Sequence, residues 1–154
     1  MNPKLPLITL ILIVNSAAVL GQNCNINSSR AKAVRRVAES IIAADNARDI
    51  TTVLSFYHED AVLMPPNEVP VSGWAAIRPR YESLFATFQP RIEGRVNEVC
   101  VNQTLAFVRG HNGGELIPVK GGERRQLDDS YLMLLRRRHD GKWRISHLIW
   151  HRSH

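Results

Sequence analysis

Asp129, Tyr131 and Met133 recur at every second position in "DDSYLML", a spacing that puts all three on one face of a β-strand. An aspartate can take or give a proton and a tyrosine hydroxyl can donate a hydrogen bond, so this face could carry acid/base chemistry. Upstream, "LAFVRGH" offers Leu105, Phe107, Arg109 and His111 at the same spacing. That set is the expected inner face of its strand, where Arg109 or His111 would tune Asp129. A guanidinium there would depress the carboxyl, giving a weak base but a good anchor for a polar ligand. The competing reading is an Arg109–Asp129 cross-strand ion pair with Tyr131 as packing, because structural ion pairs produce the same constellation. Near the C-terminus, Leu148 and Trp150 share a face with Ser146 and Arg152, while Trp143, Ile145 and Ile149 fall on the other. With Met133 and Trp150 inward, Phe107, Met133, Leu148 and Trp150 floor a cavity, and Arg109, His111, Asp129 and Tyr131 sit nearer its opening. An apolar cavity with a few convergent polar groups has the look of a small-molecule site.

Such strands need something to close against. From Arg30, Val34, Val37, Ala38, Ile41 and Ile42 recur at helical spacing, with Ser28 or Ser29 as cap. After the break "DNARD", Ile50, Val53, Leu54 and Tyr57 form a second set capped by Asp49. "AVLM" reads as a strand stopped by Pro65 and Pro66, which cannot donate ladder hydrogen bonds. A third helix carries Trp74, Ile77, Tyr81, Leu84, Phe85 and Phe88, with Pro79 predicting a kink or the true start. Strands are then predicted over 92–101, 104–111, 130–137 and 142–151, punctuated by "HNGG" and "VKGGE" as loops and by the "HDGK" hairpin. Helices followed by a run of antiparallel strands give an α+β fold, one curved sheet wrapped against three helices in the N-terminal half.

The first 21 residues read as a signal peptide: a basic start with Lys4, the apolar run "LPLITLILIV", then small residues up to Gly21. The run is too short to span a bilayer, which needs roughly 20 apolar residues. Residues 22–30 then form an N-terminal arm and 31–152 one domain with one core. Export makes the mature chain a secreted protein with no membrane attachment. It also favours pairing of its two cysteines, Cys24 and Cys100. That bridge would close a loop of about 75 residues, though two free thiols are the alternative. Sequons stand at Asn27 and Asn102.

Other chemistries find little support. The net charge is +6, spread along the chain except at Arg136–Arg138. That triplet reads as a solvated strand end rather than a nucleic-acid patch, since no aromatic residues interleave with it. His147 and His151 are four apart on an extended strand, poor geometry for chelation, so no metal is expected. No phosphate loop, nucleophile elbow or catalytic cysteine motif occurs, and no cofactor is implied.

"FYHEDAVLMPPNEVPVSGWAAI" and "DDSYLMLLRRRHDGKWRISHLIW" resemble the nuclear-transport-factor-2-like, or SnoaL-like, superfamily, and look closest to its SgcJ/EcaC-type branch. The likeness spans about 31–152. It implies a cone, cystatin-like in outline, in which a bent sheet and three helices enclose a pocket, commonly paired as homodimers through the sheet's outer face. Asp60 would cap the turn into the first strand, and "VLM" would line the mouth. The ketosteroid isomerases of this fold use a carboxylate base and an oxyanion hole of a tyrosine and a protonated acid. The resemblance carries those roles onto Pro65, Ile41 and Met133, none of which moves a proton. Two functions therefore compete. One is a secreted pocket protein that binds a small apolar molecule with a polar group and transforms it by isomerase- or dehydratase-type chemistry. The other is a non-catalytic carrier or extracellular matrix protein that uses the fold as a dimeric scaffold.

Overall fold

The computed structural model describes Cys24 and residues 27–153; the signal-peptide reading of 1–21 falls outside them. Helix α1 (Ser29–Ala47) begins where the Ser28 hydroxyl accepts the Ala31 amide at 3.1 Å. It buries Ala31, Val34, Ala38, Ile41 and Ala44. It ends at Arg48, whose left-handed backbone (φ 58°) returns its amide to the Ala44 and Asp45 carbonyls. One residue later Asp49 caps α2 (Ile50–Ser55), accepting the Thr52 amide at 3.0 Å and its hydroxyl at 2.6 Å. Tyr57 is not helical. It opens strand β1 (Tyr57–Met64) and is fully buried.

Pro65 and Pro66 end β1 as expected. A short β2 (Val71–Ser72) leads into α3 (Trp74–Thr87), which runs through Pro79 rather than starting there. The carbonyl that loses its partner belongs to Ala75, an exposed residue of the first turn, where water can satisfy it. The chain continues as β3 (Phe88–Val101), β4 (Leu105–Pro118), β5 (Arg125–Arg137) and β6 (Trp143–Arg152), in a six-stranded sheet ordered β2-β1-β6-β5-β4-β3. All neighbours are antiparallel except β1 and β6, which run parallel. The three helices cover one face, and the core lies between them and the sheet. At the β5–β6 hairpin Gly141 takes φ 79° and Asp140 accepts the Lys142 amide at 2.9 Å, as its Asp-Gly pair predicts.

Three expectations fail here, each for a local reason. "HNGG" is not a loop: His111–Gly114 pair with both β3 and β5. A Cβ on Gly114 (φ 115°) would lie 2.1 Å from the Arg91 carbonyl oxygen, so glycine here permits a close strand approach rather than a turn. The alternation of β6 also breaks. Leu134 faces His147 but Leu135 faces Ile145, so Ser146 is an extra residue and turns its hydroxyl to the Leu134 carbonyl at 3.3 Å. This bulge brings Trp143 and Ile145 into the core, leaving Ile149 on the outer face.

The third failure is the phase of β4. Register puts Val108 opposite Met133, Gly110 opposite Tyr131 and Asn112 opposite Asp129, and directly opposed residues share a face. Phe107, Arg109 and His111 therefore lie on the outer face with Leu134, Leu132 and Ser130. With apolar residues on both faces (Leu105 and Phe107 against Ala106 and Val108), alternation alone does not choose the inner one. Gly110 does. A Cβ there would stand 2.4 Å from the Tyr131 ring and 2.5 Å from the Arg95 carbonyl oxygen, so the Tyr131 ring occupies the space the glycine leaves. Gly110→Ala should lower unfolding free energy by about 2 kcal/mol or more, because the clash includes backbone that cannot yield. Urea denaturation would show this as a lower midpoint, and an unchanged midpoint would refute the close fit.

Candidate functional site

Between helices and sheet lies a cavity of about 710 Å³. Asp45 from α1, with Tyr81 and Leu84 from α3, lines its helical side. Asn112 and Leu116 of β4, Tyr131 of β5, and Leu148 and Trp150 of β6 form the sheet side. Pro65, Pro66 and Arg80 lie at the rim with the exposed Glu68, Arg125 and Arg152. Of the residues predicted from sequence, Asp129, Tyr131, Leu148 and Trp150 line this cavity. Met133 faces the same side but is enclosed in the core.

Phe107, Arg109 and His111 are corrected out of the site by the β4 register. Arg109 donates to Glu98 at 2.9 Å, not to Asp129, and His111 pairs with Asp128 at 3.1 Å. Phe107 lines a separate outer-face cavity of about 510 Å³ with Val62, Leu105, Leu134 and His147. Asp60, expected as a turn cap, is an exposed strand residue bound to Arg136 and His58. Of the "VLM" stretch, Leu63 faces the inner cavity while Val62 faces the outer one.

Apart from Glu68 at the rim, the inner cavity holds two carboxyl groups, Asp45 and Asp129, only the second of which the strand pattern singles out. Burial raises the Asp45 pKa to about 8, so the group is mostly a neutral acid near neutral pH. Its Oδ1 is buried and has no hydrogen-bond partner. Asp129 is also raised, first by burial; the Arg152 charge opposes this, Asp128 adds to it, and His111 and His151 oppose it more weakly. Burial also pushes Tyr131 up to about 12 and raises Tyr57 and Tyr81. The hydroxyls of these last two are joined at 2.9 Å.

Asn112 and Asp129, opposite each other across β4 and β5, each present a buried Oδ1 with no hydrogen-bond partner. Three residues that each carry a buried oxygen without a hydrogen-bond partner thus line one cavity. Buried polar atoms are normally satisfied, so such a cluster points to a partner from outside the chain. Sequence reasoning misses Asp45 and Asn112, because the first sits in an apparent helix break and the second in an apparent loop. A signal does exist for Asp45: it stands four residues after Ile41 and seven after Ala38, on the stripe α1 buries. An acid on an apolar stripe is an exception that calls for a reason. Among the described residues, no group of three or more His, Cys, Asp and Glu side chains could hold a metal ion.

Cys24 and Cys100 form a disulfide, with Cα atoms 4.3 Å apart. It ties the N-terminal arm to β3, an edge strand of the sheet. Both sequon asparagines, Asn27 and Asn102, are exposed. No helix of the described residues is long and apolar enough to cross a membrane.

A bent sheet closed by helices around a partly polar cavity defines the cone-type α+β pocket fold. The SnoaL-like domain profile matches residues 38–145, and the chain belongs to that family. A ketosteroid isomerase-like protein from Erwinia carotovora atroseptica is 25% identical and superposes with a TM-score of 0.74, over 80% of this chain and 95% of its own. A candidate scytalone dehydratase from Novosphingobium aromaticivorans is 16% identical, with a TM-score of 0.71 over 81% of this chain and 85% of its own. An NTF2-like protein of unknown function from Pseudomonas putida is 19% identical, with a TM-score of 0.63 over 79% and 87%. The last two likenesses show the fold. No curated protein matches the sequence.

Proposed function

We propose that this is an exported small-molecule pocket protein whose inner cavity performs acid/base elimination or isomerisation on an apolar ligand bearing a polar group. The observation that carries this reading is the set of unpartnered oxygens of Asp45, Asn112 and Asp129 around one cavity. Two carboxyls of one cavity held in different environments can divide the roles of acid and base. Asp45, neutral near pH 7, is the donor; Asp129 is the acceptor, with Asn112 and Tyr131 orienting the ligand. In an elimination, the C–H proton passes to Asp129 as the C=C bond forms. The departing hydroxyl takes the Asp45 proton and leaves as water. The similarity to a ketosteroid isomerase-like protein and a candidate scytalone dehydratase supports this class of chemistry, although the resemblance carries the ketosteroid isomerase roles onto Pro65, Ile41 and Met133.

The test uses a panel of β-hydroxy ketones, following enone absorbance for turnover and tryptophan fluorescence, Trp150 being in the cavity wall, for binding. Asp129→Asn should lose turnover at least a hundredfold and keep binding. Quenching without turnover on any compound would favour the carrier reading.

That second reading, a dimeric scaffold, draws on the outer sheet face, where Leu105, Leu132, Leu134 and Ile149 are exposed. Clustered exposed apolar side chains mark an association surface, and we assign it to a second copy of the chain. Sedimentation at about micromolar concentration should give a dimer, and Leu132→Glu with Leu134→Glu a monomer. A monomeric wild type removes the assignment. The exposed Asn27 and Asn102 would carry glycans if the chain is exported through a glycosylating pathway.

A further inference from the structure

The cavity has a basic rim and a largely apolar wall, with Asn112, Asp129 and Arg152 in one row across β4, β5 and β6. Arg80, Arg125 and Arg152 all line it. Arg80 is neutralised by Glu68 in a two-point contact. Arg125 and Arg152 form no ion pair with any described residue. The Arg125 guanidinium lies over the Phe88 ring, its central carbon 5.3 Å from the centroid, a stacking that holds the group without using its N–H donors. Arg152 stands opposite Asp129 in the β5–β6 register, yet the buried Oδ1 of that carboxyl has no hydrogen bond from it. Neighbouring acids are committed elsewhere: Glu115 to Arg124 and Asp128 to His111. Two guanidinium groups lining one low-dielectric cavity have the charge and N–H geometry to receive a planar anion. Between this rim and Asp45, the wall is Leu63, Leu84, Ile92, Leu116, Leu148 and Trp150.

We propose that the ligand is an amphipathic organic acid: a carboxylate held at the rim by Arg125 and Arg152, a hydrocarbon or aromatic body, and a hydroxyl or carbonyl reaching Asp45 on the helical side. This rests on the inner cavity being the ligand site proposed above and adds the chemical class of what fills it. The carboxylate is a recognition group and takes no part in bond breaking. Its role is to set the depth at which the far polar group meets Asp45.

The experiment compares 6-hydroxy-2-naphthoate with its uncharged counterpart 2-naphthol, titrated calorimetrically into the whole protein. The naphthoate should bind at least tenfold more tightly. That advantage should vanish in Arg125→Gln/Arg152→Gln, which should still bind 2-naphthol. It should survive Arg109→Gln, which removes positive charge from the outer face. Equal affinity for the two probes in the wild type would overturn the anion assignment while leaving the cavity as a ligand site. Equal loss of advantage in the Arg109 variant would also overturn it, by reducing the preference to net charge. Binding of neither probe would overturn both the assignment and the pocket reading.

Discussion

Asp45→Asn should make the protein more stable near pH 7, by on the order of 4 kcal/mol, and leave stability near pH 4 unchanged. The direction follows from the raised pKa. The carboxyl titrates from 3.8 when solvated and from about 8 when folded. Between those values the unfolded chain has released the Asp45 proton and the folded chain has kept it. The unfolded state therefore binds fewer protons, and Asp45 lowers stability progressively as pH rises through that window. Above about pH 8 the contribution levels off, because both states are then ionised. Asparagine keeps the shape and cannot ionise, so the difference between variant and wild type isolates this one group. Urea unfolding of both proteins at several pH values between about 4 and 8 measures it. A gap that widens with pH is the expected result. A constant gap, or a destabilised variant near pH 7, would mean the carboxyl is a satisfied structural group. The same substitution should remove turnover, since an amide cannot protonate a leaving hydroxyl. A residue whose replacement stabilises the fold and abolishes activity is one retained for function.

Loss of the Cys24–Cys100 bridge should cost about 4–5 kcal/mol, through the loop of 76 residues that it closes in the unfolded chain. Double substitution to serine, or reduction, should lower the urea midpoint. It should also raise the denaturant dependence, because the unlinked unfolded chain exposes more surface. The location adds to the effect: β3 is an edge strand, and the bridge anchors the arm to it. An unchanged midpoint under full reduction would show that the unfolded chain gains no freedom from losing the link.

The residues behind these two effects are not equally visible in the sequence. Cys24 and Cys100 are legible as candidate partners from their even number and the expectation of export, with two free thiols as the alternative, and the structure joins them. Asp45 is hidden by its neighbours. "DNARD" reads as a polar break, and Asp49 does cap the next helix, but α1 continues through Asp45 and Asn46 before turning at Arg48. Asn46 then binds the Ile92 backbone in both directions, its side-chain amide donating at 2.8 Å and its side-chain oxygen accepting at 2.8 Å. A segment that looks like linker is thus the joint between α1 and β3.

The sequence by itself determined the proline stop after β1, the Asp-Gly hairpin, the order of the helices and long strands, and which residues of β5 share a face. These are set by local rules: cap chemistry, fixed φ, and a period of two that stays unbroken from Asp129 to Leu135. Only the tertiary structure decided the phase of β4 and the bulge at Ser146. Alternation says which residues share a face, not which face points in, and one extra residue reverses that choice for every position beyond it. The contact that fixed β4 was between Gly110 and the Tyr131 ring, twenty-one positions apart in the chain, so no reading of either strand alone could contain it. That contact moved Arg109 out of the site and placed Asn112 within it, beside Asp129.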